Sequence, residues 1–316
     1  MSRYWDEKRY YSLDYYLKHT FGKKMYKISL NGGMTCPNRD GTLGSRGCIF
    51  CSEAGSGDFA GDSRLTITKQ IEQGIPLSEK KYGSSSYIAY FQAFTNTYAP
   101  CSYLRKIFTE ALEHPDIQIL SIATRPDCLD YEIINLLAEL NKRKPVWVEL
   151  GLQTIHEDTA AFIRRGYDLP VFENAVTALR QAGIDVIIHT ILGLPGEDLT
   201  RMIDTIRYLN AKDIQGIKLQ LLHILKNTDL ADHYANHPFH IPSMEEYFEW
   251  IGACVCRLRP DIVIHRLTGD GPKALLIEPE WSSHKRRVLN GINQYFKKHD
   301  IWQGKEFTDD RNLQII

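Results

Sequence analysis

No run of apolar residues in this 316-residue chain approaches the ~20 that a helix needs to cross a bilayer. Its first residues, Met1 to Lys8, carry no apolar stretch and do not read as a signal peptide. Surplus charge is also missing: the net charge of −1 argues against whole-surface attraction to nucleic acid, although a local basic face remains open. Cysteine is scarce and odd in number, with seven in all, and the spacing suggests no disulfide framework. A reducing cytoplasm is therefore the expected location. No internal repeat, low-complexity segment or linker interrupts the chain. What is present, 43% hydrophobic and 24% charged residues, is the composition of an ordinary globular protein. The length suits one large α/β domain or two smaller ones.

Along the chain, residues 1–24 are rich in aromatics, and Tyr11, Tyr15 and Tyr16 have helical spacing. We expect a short N-terminal helical segment there whose tyrosines serve packing. A strand–helix alternation then begins at residue 25. Expected strands cover residues 27–30, 86–92, 117–123, 146–152, 185–192 and 216–222. Expected helices cover 66–79, 103–114, 131–141, 156–165, 171–182 and 198–210. The strands are near-continuous apolar runs, as parallel strands covered on both faces should be. Right-handed crossovers leave an open sheet or a barrel, with function at the C-terminal strand ends. After residue 225 the pattern changes. A helix over 244–257 is capped by Ser243, with Glu246 at the capping-box position. A strand over 261–267 and a helix over 284–298 follow. We read 25–230 as the α/β body and 231–316 as an extension packed on it.

Three of the seven cysteines, Cys36, Cys48 and Cys51, fall on one Gly-rich loop directly after the first strand. A structural zinc site wants four ligands. Three thiolates suit a [4Fe–4S] cluster with one iron open to a small molecule; a zinc knuckle completed by a distant residue is the competing reading. Gly32, Gly33, Gly44 and Gly47 suit a loop whose amides point at sulfur. Cys254 and Cys256, two apart on a helix, do not share a face. Cys101 and Cys128 read as lone buried thiols.

Three cysteines after the first strand of a βα body resemble the radical S-adenosylmethionine superfamily. The usual spacing there is C-x3-C-x2-C. The eleven residues between Cys36 and Cys48 instead resemble a narrower bacterial group related to the catalytic subunit of Elongator. Thr124-Arg125-Pro126-Asp127, Glu149-Leu150-Gly151-Leu152-Gln153-Thr154, Arg165-Gly166 and His189-Thr190-Ile191-Leu192-Gly193-Leu194-Pro195-Gly196-Glu197 match segments of such enzymes in order. The likeness covers about residues 25–230. It implies a partial (β/α)6 TIM-type radical-SAM barrel with an α/β C-terminal extension, and cofactors of a [4Fe–4S] cluster and S-adenosyl-L-methionine.

The resemblance also implies roles by position. Cys36, Cys48 and Cys51 hold the cluster. Gln92 receives the methionine amino end, Gln153 reaches the ribose or carboxylate, and Arg165 pairs with the carboxylate. Gly193, Leu194 and Pro195 lie along the adenine, with Leu222 to Leu225 adding apolar contacts. For several of these a plain structural role competes: a strand-end polar group for Gln92, an exposed helix arginine for Arg165 and a satisfied core histidine for His189. No second cluster motif, B12 domain or acetyltransferase half is recognised.

Relatives of the Elongator type act on wobble uridine, so the expected substrate is tRNA. A concrete version is conversion of a carboxymethylaminomethyl group to aminomethyl at C5. A flavodoxin- or ferredoxin-type electron donor is expected, and no membrane. The basic clusters Lys23-Lys24, Lys142-Arg143-Lys144, Arg164-Arg165 and Lys285-Arg286-Arg287 read most simply as solvated helix ends; the last, with the aromatic N-terminus, is the candidate RNA contact. The rival readings are a radical enzyme acting on a small metabolite such as a porphyrinogen, and a non-catalytic metal-cluster RNA-binding module.

Overall fold

Apolar runs become strands and amphipathic stretches become helices, in the computed structural model, which describes residues 4–82, 86–269 and 271–308. Helix α1 (Leu13–Phe21) leads to strand β1 (Tyr26–Leu30), α2 (Ile67–Tyr82), β2 (Tyr87–Phe91), α3 (Cys101–Glu113) and β3 (Ile117–Thr124). Then come α4 (Tyr131–Asn141), β4 (Val146–Gln153), α5 (Glu157–Phe162), α6 (Leu169–Gln181), β5 (Asp185–Leu192), α7 (Leu199–Asn210) and β6 (Gly216–Leu221). The remainder holds β7 (Ile224–Leu225), α8 (Asp229–Asn236), α9 (Met244–Arg257), β8 (Val263–Arg266), β9 (Leu276–Glu278) and α10 (Lys285–Lys298).

The main sheet has seven strands in the order β1-β2-β3-β4-β5-β6-β8. This is the open α/β arrangement of a partial barrel, with one strand more than the six-strand expectation. The extra strand is β8, which pairs parallel to β6 with Gly216 opposite Val263. Strands β7 and β9 form a separate antiparallel pair, Ile224 opposite Glu278.

Contacts divide the chain into two compact units. One comprises Leu17–Gly151 and Gly166–Ile187. Strand β2 is buried at all five residues and β3 at seven of its eight, while the edge strand β1 buries Ile28 and Leu30. Helix α3 covers them with Leu104, Ile107, Phe108, Ala111 and Leu112, an i, i+3, i+4, i+7, i+8 stripe. Helix α4 begins where the Asp130 side chain accepts from the Ile133 amide at 2.8 Å.

The other unit comprises Met1–Tyr16, Leu152–Arg165 and Ile188–Ile316. The aromatic N-terminus packs within it, as expected. Trp5 stacks on Tyr11 at 5.9 Å, Tyr10 meets the edge of Phe296 at 6.3 Å, and the Ile264 amide donates to the Tyr11 carbonyl at 2.7 Å. Ser243 caps α9 by accepting from the Glu246 amide at 3.1 Å. The Glu246 carboxylate itself is engaged by His240 Nε2 at 2.8 Å. Helix α10 buries Val288, Ile292 and Phe296, an i, i+4, i+8 stripe.

Candidate metal centre and cofactor-facing strand ends

The cysteine loop leaves β1 and is closed by its own backbone. After Cys36, the Arg39 and Asp40 amides donate to its carbonyl at 2.8 and 3.2 Å, making a tight turn. The Gly47 amide donates to the Asn38 carbonyl at 2.7 Å, and the Leu43 amide to the Pro37 carbonyl at 2.9 Å. The eleven-residue gap is therefore a side excursion tied off at its base, so that Cys48 re-enters beside the turn that Cys36 began. The Cys51 amide then donates to the Cys48 carbonyl at 3.0 Å.

Among the described residues, no three His, Cys, Asp or Glu side chains converge closely enough to hold one metal ion. A single zinc, with Zn–S bonds of about 2.3 Å, draws its thiolates to within about 4 Å of each other. A four-iron cluster places each cysteine on its own iron. Three thiols on one loop offer a [4Fe–4S] cluster three ligands and leave its fourth iron without one from the loop.

All three cysteines are half-buried. Burial pushes the Cys48 thiol up to about 12, the neighbouring Cys51 adds to the rise, and a hydrogen bond from Asn38 opposes it. Burial also raises Cys51, against the pull of Arg39. Such thiols ionise only when a cation takes the charge, and metal loading there releases protons. Asn38 Nδ2 is aimed at sulfur, 3.4 Å from Cys48 Sγ, and Arg39 and Ser56 act on the Cys51 thiol. The glycine amides do something other than expected. Those of Gly33, Gly44 and Gly47 donate to Asn31 Oδ1, the Pro37 carbonyl and the Asn38 carbonyl, at 2.9, 3.3 and 2.7 Å. Their work is to shape the loop. Gly47 has φ +77°, and a Cβ there would stand 2.9 Å from Arg39 Nε, so both conformation and room require glycine.

Arg39, which sequence reasoning missed, fastens this region, and Arg125, quoted there only within a motif, packs nearby. Arg39 donates through Nη2 to the Cys51 and Ser52 carbonyls at 3.1 and 2.6 Å, joining the loop's two ends. Arg125 is 8% exposed, grips Asp127 through two bonds of 2.9 and 2.7 Å and lies 5.1 Å over the Tyr167 ring. Gly166 lies alongside; a Cβ there would come within 2.8 Å of Asn38 Oδ1 and 3.3 Å of Arg125 Nη2. Arg125 sits in the Thr124–Asp127 motif, and its local pairing with Asp127 was the available signal. Cys128 next to it is half-buried, as is Cys101, rather than fully buried as expected.

Gln92 follows directly on β2, with its amide engaged on both sides. Its Oε1 accepts from Ser29 Oγ at 3.1 Å and its Nε2 donates to the Ser56 carbonyl at 2.7 Å. A buried polar row lies deeper in the same unit. Glu149 on β4 is fully buried, pairs with Lys27 and accepts from Ser121 Oγ at 2.6 Å, while Lys27 Nζ stands 4.2 Å from the Tyr90 ring centroid. These groups come from β1, β2, β3 and β4 in turn.

In the other unit, Gln153 closes β4 with φ +65°, a left-handed conformation uncommon outside glycine. Its Oε1 is buried and has no hydrogen-bond partner. A strained strand-end residue holding an unpaired buried acceptor is an arrangement that a polar ligand completes. Arg165 is 2% exposed rather than an exposed helix residue; it donates to the Thr154 carbonyl at 2.8 Å and to Glu157 Oε1 at 2.7 Å. His189 on β5 is half-buried. Gly193 lies against Trp250 of α9, 3.2 Å from where a Cβ would sit, and Leu194 is 2% exposed while Pro195 is half-buried. Leu222 and Leu225 are buried, and the Leu222 amide donates to the Leu192 carbonyl at 3.0 Å. Glu197, which closes this motif, has its Oε1 buried without a partner, and burial raises its pKa against hydroxyl donors Thr154 and Thr159.

A parallel α/β sheet with a three-cysteine loop after its first strand and polar groups at later strand ends defines a cluster-dependent cofactor enzyme. Residues 41–209 match the Radical SAM superfamily, and residues 214–298 match the Radical_SAM C-terminal domain. The chain belongs to the Radical SAM superfamily, whose enzymes use a [4Fe–4S] cluster and S-adenosylmethionine. It is 45% identical over 301 residues to "Uncharacterized protein YtqA" of Bacillus subtilis (strain 168), covering 95% of this chain and 94% of the relative. It is 25% identical over 195 residues to a "tRNA uridine(34) acetyltransferase" of Methanocaldococcus jannaschii, covering 61% of this chain and 35% of that protein. An N-terminally truncated Elp3 from Methanocaldococcus infernus superposes with a TM-score of 0.66 at 16% identity, over 88% of this chain and 64% of that one, a likeness of fold. Among the described residues no helix is long and apolar enough to cross a membrane.

Proposed function

We propose that this radical-SAM enzyme modifies the C5 side chain of wobble uridine in tRNA, converting carboxymethylaminomethyl to aminomethyl. The observation that carries the substrate class is the 195-residue similarity to a tRNA uridine(34) acetyltransferase. In this reading Cys36, Cys48 and Cys51 hold the cluster. Asn38 tunes it through its hydrogen bond to Cys48. The unpaired Oε1 of Gln153 accepts from S-adenosylmethionine, and Arg165 steadies the Thr154 carbonyl beside it. Gly193, Leu194, Pro195, Leu222 and Leu225 give the flat apolar contacts that an adenine takes. Gln92 acts by fixing Ser56 next to the loop. An electron donor of flavodoxin or ferredoxin type completes the system, in the cytoplasm.

When bound, S-adenosylmethionine supplies a hydrogen-abstracting 5′-deoxyadenosyl group. The conversion balances as a two-electron oxidation of the methylene between amine and carboxylate. S-adenosylmethionine is the oxidant, ending as methionine and 5′-deoxyadenosine, and one proton is released. Water then adds across the new C=N bond and the C–N bond breaks, giving aminomethyl uridine and glyoxylate. The test is mass spectrometry of tRNA nucleosides from a deletion strain. Carboxymethylaminomethyl uridine should accumulate at the expense of its aminomethyl derivatives; an unchanged wobble-uridine profile sinks the substrate.

A further inference from the structure

An open groove of about 880 Å³ runs between α9 and α10 in the C-terminal part of the chain. Its floor is apolar. Phe248 lies there with its ring so close to α10 that a Cβ on Gly291 would meet it at 2.4 Å. Its rim is basic: Lys273, Lys285, Arg286 and Arg287 are all exposed, against a single acid, Glu245. The whole chain carries a net charge of only −1, so this four-to-one imbalance is a local concentration.

Two bland explanations fail. Cations in the first turn of a helix oppose its dipole, and the first turn of α10 holds no acid, so these residues do not stabilise the helix. Nor do Arg286 and Arg287 serve the fold through ion pairs, since no acidic partner engages them among the described residues. What remains is a concave strip of exposed guanidinium and ammonium groups, with an apolar floor too buried to stack a base: Phe248 is 6% exposed.

We propose that this groove binds the phosphodiester backbone of tRNA, a role that rests on the tRNA reading above. The two arginines suit phosphate because the guanidinium fork pairs bidentately with two of its oxygens. With the Phe248 ring buried and four cations on the rim, the contact is to the backbone and independent of sequence; it positions the RNA and leaves base selection to other residues. An open groove admits a strand edge-on, which is why we favour RNA over an acidic redox protein.

The test is fluorescence anisotropy of the full-length reconstituted enzyme titrated with a tRNA transcript over a salt series. Wild type is compared with two charge-matched doubles on the same helix. One is Arg286→Gln with Arg287→Gln, in the groove. The other is Lys297→Gln with Lys298→Gln, in its last turn. Each phosphate contact contributes about 0.7–0.9 to the slope of log affinity against log salt. The groove double should bind about tenfold more weakly and lose between one and two from that slope, while the last-turn double changes less than about twofold. Iron content and melting temperature should match wild type in both. Wild-type binding with equal losses in the two doubles, or no loss in either, overturns the groove and leaves the tRNA substrate standing. Absence of tRNA binding by wild type overturns both. Intact tRNA affinity combined with lost flavodoxin-supported cleavage of S-adenosylmethionine in the groove double would assign the site to the electron donor and overturn the proposal.

Discussion

The cysteine loop and the ends of β4 and β5 treat their polar groups in opposite ways. In the loop they are spent within the protein. Glycine amides find carbonyls, Arg39 bridges the loop's two ends, Gln92 is engaged at both amide atoms, and Asn38 points at Cys48. The three thiols are what the loop leaves to offer. At the ends of β4 and β5, by contrast, Gln153 Oε1 is buried without a partner, and so is Glu197 Oε1, although the Thr154 and Thr159 hydroxyls act on that carboxyl. Buried polar groups are normally paired, and an unpaired one costs about 1–3 kcal/mol. The difference teaches that the first region is a loop whose backbone and Arg39 hydrogen bonds close on the protein itself, which under the function proposed above leaves its thiols for the cluster. The second is a surface whose energetics are incomplete until a polar ligand arrives.

The sharpest way to break this contrast is to remove a sulfur. Cys48→Ala should drop bound iron from about four per chain to nearly none and abolish reductive cleavage of S-adenosylmethionine, while far-ultraviolet circular dichroism stays that of wild type. The backbone bonds of the loop do not involve the Cys48 side chain, so the fold has no reason to fail. Full iron retention in the variant would mean that the thiol is not a ligand.

A smaller effect is expected where polar groups await a ligand. Gln153→Leu and Gln153→Gly should both retain iron yet bind S-adenosylmethionine about tenfold more weakly, the scale of one lost hydrogen bond plus its unpaired partner. The pair of variants separates function from strain. Leucine keeps the cost of a positive φ and glycine relieves it, so Gly should melt no lower than Leu while sharing its binding defect. Equilibrium dialysis that found wild-type affinity in both would return Gln153 to a purely structural role.

Much of the fold was legible because its signals are local. Periodicity over 131–141 and apolar continuity over 185–192 coincide with α4 and β5. Strands β7 and β9 were not legible: two residues at Ile224–Leu225 find partners some fifty positions later, and no short-range pattern encodes such a pairing. The same holds for the site. Cysteine spacing is written in the chain. That Gln92 is engaged by Ser29 and Ser56, or that Glu149 pairs with Lys27, depends on neighbours brought together by the sheet. Arg165 and Arg125 were visible only as parts of motifs. Burial turned Arg165 from an exposed helix charge into a fastener of the β4 end, and Arg125 is held by Asp127 and the Tyr167 ring.

The smallest predicted effect probes the second region through pH. Burial raises the folded-state pKa of Glu197, with Thr154, His156, Thr159 and Arg201 acting against the rise. A carboxyl that holds its proton more tightly when folded stabilises the protein fully below the unfolded value, about 4.3, and loses that contribution as pH rises through the folded value. Above it, the buried carboxylate is a cost. Glutamine keeps the shape and cannot ionise, so Glu197→Gln should melt about 1–2 °C above wild type at pH 8, where each 1 kcal/mol is worth about 2–4 °C. The gap should narrow as pH falls toward 5, because the wild-type group becomes neutral as well. Thermal scans of both proteins across that range decide the matter. A constant offset at every pH would show that the carboxylate is fully satisfied at the β5 end, and the contrast with the cysteine loop would then rest on Gln153 alone.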